Sequence, residues 1–109
     1  MNIEVKNISD FKIEITRNTA VLAYFYNDNC APCQSLRPKI IKLLQEEFPL
    51  VKLIFINSEI LEISAHHGVF DKPTLIVFFE QKEYIRESKY VSIVKLQENI
   101  ERYYKILFE

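Results

Sequence analysis

The chain has a single glycine in 109 residues, where average usage would give about seven. Phosphate-cradling loops of the GxGxxG and GxxxxGK types need several glycines, so both are excluded. Cysteine occurs only twice, too few for a small domain stapled by disulfides. There is no excess of positive charge: lysine plus arginine total 14 against 15 acidic residues, a formal net charge of −1. A nucleic-acid-binding protein would usually carry a basic excess. Long apolar runs are also missing. The two longest, Ala20 to Tyr26 and Leu75 to Phe79, fall far short of the roughly 18 residues that span a bilayer. The first six residues, Met1 to Lys6, hold no apolar stretch and no small-residue cleavage site, so no secretory signal is read there. Against these absences stands an apolar content of 49% with 27% charged residues, enough for one real core and too apolar for disorder. Residues 1–109 are read as one domain. A soluble cytoplasmic protein is expected, and in that compartment a cysteine pair is usually redox-active or metal-binding.

The elements follow from periodicity. Ile3 and Val5 alternate with polar residues and read as a short strand. Ser9 offers an N-cap for a helix over residues 9–17, with Ile8 and Ile13 placed as a hydrophobic staple. The run Ala20 to Tyr26 suits a strand buried on both faces, and Asn27-Asp28-Asn29 is a polar turn. Pro32 fits the first turn of a helix. Leu36, Ile40, Leu43, Leu44 and Phe48 form its buried face, with Arg37, Lys39, Lys42 and Glu46 pointing elsewhere. Pro38 is expected to kink this helix, and Pro49 ends it. Val51 to Ile56 is the next strand, Glu59 to His67 a short helix closed by Gly68, and Thr74 to Phe79 another buried strand. A turn at Gln81-Lys82 leads into a strand over Glu83 to Glu87. Ile93, Leu96, Ile100, Tyr103 and Leu107 give a last helix with one face on the sheet. The order predicts an α/β sandwich with helices on both faces of a mixed sheet.

Cys30-Ala31-Pro32-Cys33 carries the chemistry. Two thiols separated by two residues can close a disulfide within one turn. Here they follow a buried strand and a polar turn, with Cys30 at the mouth of a helix opened by Pro32. Unpaired N–H groups and partial positive charge at a helix N-terminus favour a thiolate, the nucleophile of thiol–disulfide exchange. Lowering a cysteine pKa from about 8.5 to about 7 requires about 2 kcal/mol. A helix terminus usually supplies roughly 0.3–1 kcal/mol. Direct hydrogen bonds to the Cys30 sulfur must therefore contribute, from the Cys33 thiol or backbone N–H groups, and Lys72 is a candidate for a further share.

Other readings of the pair stay open at this level. A structural disulfide closing so short a loop would stabilise by only about 2 kcal/mol. A zinc site could be sought in Cys30, Cys33, His66 and His67, although adjacent histidines do not match the usual ligand spacing. Two inert buried thiols are the third. The histidines read more simply as solvated groups at a helix end, where a cation interacts favourably with the dipole.

Asn29-Cys30-Ala31-Pro32-Cys33, followed by Pro38 five residues after the second cysteine, resembles the active-site helix of the thioredoxin family. Gly68-Val69-Phe70-Asp71-Lys72-Pro73-Thr74-Leu75 resembles that family's segment in which a cis-proline followed by threonine enters the fourth strand. The resemblance covers nearly the whole chain. It implies a thioredoxin-like fold, a mixed central sheet of about five strands sandwiched by about four helices. It implies thiol–disulfide oxidoreduction on protein substrates, with Cys30 and Cys33 catalytic, Ala31 and Pro32 completing the motif, and no metal or organic cofactor. Pro73 would be cis beside the cysteines. Lys72 would offer its backbone to an extended substrate, with Asn29 adjoining. The implied partners are protein disulfides and a thioredoxin-reductase-like or other dithiol donor, with no nucleic acid or membrane, and the chain is expected to be a monomer. A binding module or redox sensor with little turnover is the alternative.

Four departures from the family's pattern matter. Asn29 replaces the aromatic residue before the first cysteine, and Tyr24 stands where a buried aspartate is usual. Lys72 replaces an apolar residue, and Glu80-Gln81-Lys82-Glu83 lacks the glycines usual after the fourth strand. Tyr24 bears most on mechanism. The aspartate is held to assist proton transfer at the second cysteine, and a phenol with a pKa near 10 is a poor base at neutral pH. Tyr24 is otherwise read as a core aromatic.

Overall fold

The computed structural model describes residues 3–109. Five strands, β1 (Ile3–Val5), β2 (Ala20–Tyr26), β3 (Lys52–Asn57), β4 (Thr74–Phe79) and β5 (Lys82–Ser88), form one sheet in the order β1-β3-β2-β4-β5. Four helices, α1 (Ile8–Arg17), α2 (Ala31–Glu47), α3 (Leu61–His66) and α4 (Ile93–Phe108), cover it. β1, β3 and β2 run parallel, whereas β4 is antiparallel to both β2 and β5. The sheet is therefore mixed, as expected.

Alternate residues of the central strands supply two separate cores. Ala20, Leu22, Tyr24, Leu53, Phe55, Leu75 and Val77 face α2 and α4, meeting Leu36, Ile40, Leu44, Leu96 and Ile100. Val21, Ala23, Phe25, Ile54, Ile56, Ile76 and Phe78 face α1 and α3, meeting Phe11 and Ile63. Covered on both sides, β2 and β4 have no solvated face, so both read as unbroken apolar runs rather than as alternation.

Several boundaries differ from those expected, each for a local reason. Helix α1 begins at Ile8 because Asn7, not Ser9, is its cap: Asn7 Oδ1 accepts from Asp10 N at 2.8 Å and Asn7 Nδ2 donates to Asp10 Oδ2 at 3.0 Å. Ile13 is exposed, which removes the proposed staple. Strand β3 runs one residue further, to Asn57, whose Oδ1 takes the Glu59 N–H at 3.0 Å. That turn delays α3 to Leu61. On α4 the buried stripe is Leu96, Ile100 and Tyr104, with Tyr103 at its flank. The Tyr104 ring packs 5.1 Å from that of Phe48, and its hydroxyl accepts from Leu50 N at 3.3 Å.

The lone glycine sits where α3 must stop. Gly68 has φ +63° and donates to the Ala65 carbonyl at 3.2 Å, while Val69 N donates to Ser64 O at 2.8 Å. This paired closure requires a left-handed residue. The β4–β5 turn has no glycine. Phe79 pairs with Lys82, so the loop is Glu80-Gln81 rather than Gln81-Lys82, and both residues have positive φ, 52° and 72°. Two-residue hairpins prefer this handedness because it matches the twist of the strands. A side-chain-bearing residue in it costs roughly 1–2 kcal/mol. Replacing the pair with Glu80→Asn and Gln81→Gly is expected to stabilise the fold by about 1–2 kcal/mol. The readout is a higher urea midpoint with an unchanged slope.

Candidate active site

Strand β2 delivers the chain to the site. Its last residue, Tyr26, is followed by Asn27, a buried side chain that organises the next three residues. Asn27 Oδ1 accepts from Asn29 N at 2.8 Å, Asn27 O accepts from Cys30 N at 3.2 Å, and Asn27 Nδ2 donates to Glu59 Oε1 at 3.2 Å. The polar turn read from the sequence is thus pinned by one residue whose role was not singled out. Its signal was an Asn closing an apolar strand, a position from which the side chain can bond its own backbone two residues on.

Cys30 is the N-cap of α2, and Pro32 lies in its first turn. The two cysteines are joined as a disulfide, with Cα atoms 5.2 Å apart. Cys30 Sγ accepts a hydrogen bond from Cys33 N at 3.2 Å. A backbone N–H therefore supplies the direct contact that the helix dipole needed as a supplement. The two sulfurs differ in access: Cys30 is half-buried, whereas Cys33 is 2% exposed and belongs to the core beneath α2.

The peptide between Lys72 and Pro73 is cis. Phe25 pairs with Thr74 across β2 and β4, so Pro73 enters β4 at the end of the sheet where β2 gives way to the cysteine loop. Pro73 is buried and its carbonyl accepts from Lys89 N at 2.9 Å. Lys72 is exposed, and among the described residues its backbone N–H and C=O have no partner in the chain. Asn29 is exposed on the cysteine loop.

Two expectations need correction. Arg37 does not simply point away with Lys39, Lys42 and Glu46: its guanidinium carbon lies 3.8 Å from the centre of the Phe55 ring and 5.5 Å from that of Tyr26. The helical pattern could not show this, because a long side chain can fold back along the helix toward the sheet. His67 is not a solvated cation either. It is half-buried, its ring 4.8 Å from that of Phe11 and 5.7 Å from that of Phe78. Burial and the neighbouring His66 lower its pKa. These contacts belong to the α1/α3 face, whereas Cys33 belongs to the α2/α4 face, so the histidines and cysteines do not converge.

Tyr24 lies fully buried beneath α2, its ring 5.5 Å from that of Phe55, and its hydroxyl donates to the Cys33 carbonyl. Burial raises its pKa to about 12, against a smaller opposing pull from Arg37. Tyr26, on the same strand, is also raised to about 12, by burial and by its 2.6 Å hydrogen bond to Glu4 Oε2. Folding holds both phenols neutral where the unfolded chain would ionise them. Their contribution to stability is complete below pH 10 and lost as pH rises toward about 12. Tyr24→Phe is expected to cost about 1 kcal/mol at neutral pH through the lost hydrogen bond. It should also flatten the alkaline loss in a pH series of urea unfolding curves; an unchanged series would refute the assignment.

Comparison with known proteins agrees with this geometry. The family model described as Thioredoxin matches residues 2–103. A thioredoxin-like protein of Bacillus subtilis, YdfQ, is 27% identical over 84 residues, covering 76% of this chain and 74% of the relative. The thioredoxin of Pyropia yezoensis is 30% identical over 80 residues, 72% of this chain and 75% of its own. Among solved structures, a mutant thioredoxin from Halobacterium salinarum superposes with TM-score 0.84 at 25% identity, covering 94% of this chain and 89% of that one. With a family match over nearly its whole length and a disulfide closed across CAPC at the mouth of α2, the chain belongs to the thioredoxin family and is a protein thiol–disulfide oxidoreductase.

Proposed function

We propose that Cys30 is the attacking residue and Cys33 the resolving one. The observation that carries this is their asymmetry: Cys30 is the more accessible sulfur and takes the Cys33 N–H, whereas Cys33 is buried. As a reductant, the Cys30 thiolate attacks one sulfur of a substrate disulfide. The substrate's other sulfur leaves with the bonding pair and is protonated. Cys33, as thiolate, then attacks Cys30 Sγ. The Cys30–Cys33 bond forms, the Cys30–substrate bond breaks, and the substrate's second sulfur leaves as a thiol after protonation. Ala31 and Pro32 set the spacing between the two sulfurs and the start of the helix.

An extended substrate segment would lie against Lys72 and Pro73. The free backbone groups of Lys72 support this, since strand addition needs an unpaired N–H and C=O. Asn29 would border the same groove and, with Lys72, make it more polar than an aromatic and an apolar residue would. The cycle needs no metal or organic cofactor from these residues. A thioredoxin-reductase-like enzyme or another dithiol donor would restore the reduced pair. The chain would work as one domain and as a monomer in the cytoplasm, without nucleic acid or membrane; no helix among the described residues is long and apolar enough to cross a membrane.

Two measurements test the roles. The chain is expected to accelerate insulin reduction by dithiothreitol, and Cys30→Ser to abolish that acceleration. Cys33→Ser is expected to accumulate mixed disulfides with protein substrates, seen as thiol-sensitive bands on non-reducing gels. If Cys30→Ser accumulated them instead, the roles would be reversed. A folded parent chain without acceleration would favour a groove that holds partners with little turnover.

A further inference from the structure

Cys33 has to lose a proton before it can attack, and the group beneath it is a phenol rather than a carboxylate. Tyr24, which occupies that place, donates its hydroxyl hydrogen to the Cys33 carbonyl and stays protonated far above neutral pH. The space beside Cys33 is a cavity of about 190 Å³ lined by Tyr24, Tyr26, Asn27, Asp28, Gln34 and Arg37. Among the described residues, Arg37 is the only cation in that lining. Cys33 and Arg37 are four residues apart on α2, so they share one face of the helix. The guanidinium is half-buried and held by the rings of Phe55 and Tyr26.

Among the described residues its guanidinium also forms no ion pair. The ion pairs among the described residues use Arg17, Arg86, Lys89 and Lys105, and none uses Arg37. The other ionisable groups on this side are accounted for. Tyr26 is tied to Glu4 Oε2 at 2.6 Å, and Asp28, an exposed residue of the cysteine loop, is the carboxylate among the described lining residues.

We propose that Arg37 is a positioning residue for the resolving step: its guanidinium, clamped on Phe55 and Tyr26, stabilises the Cys33 thiolate across the shared cavity. It acts by charge in place of a base. The Cys33 proton passes to solvent, the thiolate attacks Cys30 Sγ, and the departing substrate thiolate takes a proton from solvent. No net oxidant or reductant beyond the mixed disulfide is required. The proposal rests on the roles given to the two cysteines above.

The test uses the reduced full chain and dithiobis(nitrobenzoate), whose coloured thiolate is released twice. The first release reports attack by Cys30, and the second reports ring closure by Cys33. With Arg37→Gln, the first phase is expected to keep its rate. The pH midpoint of the second is expected to rise by about one unit, a tenfold smaller thiolate fraction well below the midpoint. A more basic thiolate is intrinsically about threefold more reactive per unit of pKa. The second phase should therefore be about threefold slower at neutral pH and about threefold faster above its midpoint. Such a crossover is not produced by loosened packing. Arg37→Lys keeps the charge and is expected to restore most of the parent profile; it also serves if the glutamine variant fails to fold. An unchanged midpoint in Arg37→Gln, or a lysine variant with a midpoint no lower than a folded glutamine variant's, would overturn the proposal. Loss of the first phase in the parent chain would instead overturn the role of Cys30.

Discussion

The junction between β2 and α2 is the constraint on which the site depends. A buried strand must end, turn within four residues and start a helix with the Cys33 N–H of its first turn bonded to the Cys30 sulfur. Asn27 makes this possible by taking the Asn29 N–H with its side chain and the Cys30 N–H with its carbonyl. Cys30 then caps the helix with sulfur, a role that oxygen-bearing side chains usually fill. A sulfur cap is a weaker acceptor when neutral and a better one when ionised. The hydrogen bond from Cys33 N therefore shifts the thiol equilibrium more than it stabilises the helix. Proline in the first turn fits the same logic, because its missing N–H would have been unsatisfied there in any case.

The sheet fixes where that sulfur sits relative to its substrate. β4 is antiparallel to β2, so the start of one adjoins the end of the other. Pro73 and the cysteine loop meet there without any direct link in sequence. Pro73 spends its carbonyl on Lys89, while among the described residues both backbone groups of Lys72 stay free. Among the described residues Lys89 is one of three with side chains at positive φ, beside Glu80 and Gln81, in a chain with one glycine. Left-handed backbone is thus used more often than glycine is supplied. Two of those positions lie in the hairpin far along β4 from the site, and the third lies where the chain closes over Pro73.

Most of the fold was legible because each element carried its own period. The unbroken runs of β2 and β4 marked strands covered on both faces, and the stripe from Leu36 to Phe48 marked α2. Boundaries failed where a side chain competed for backbone bonds: Asn7 took the cap from Ser9, and Asn57 held the chain out of α3. The cysteine pair was legible as chemistry, and two separated blocks made it legible as a family. What stayed hidden were contacts set by packing across elements. Nothing in the spacing says that Arg37 folds onto Phe55, or that His67 turns inward against Phe11 and Phe78.

Replacing a carboxylate by a phenol under Cys33 changes more than one group. A buried carboxylate repels a neighbouring thiolate when ionised and can accept its proton; a buried neutral phenol does neither. Tyr24 instead holds the first turn of α2 by bonding the Cys33 carbonyl, which fixes the helix start that presents both sulfurs. The field that favours an anion in the cavity then comes from Arg37, set against the exposed Asp28 carboxylate, while the group beneath the sulfur is a neutral phenol. An aromatic clamp is a suitable holder, because rings orient a guanidinium without neutralising it, whereas a carboxylate partner would cancel most of its charge. The departure at residue 24 and the placement of residue 37 are on this view a single adjustment: where no base can take the proton, the anion left behind must itself be stabilised.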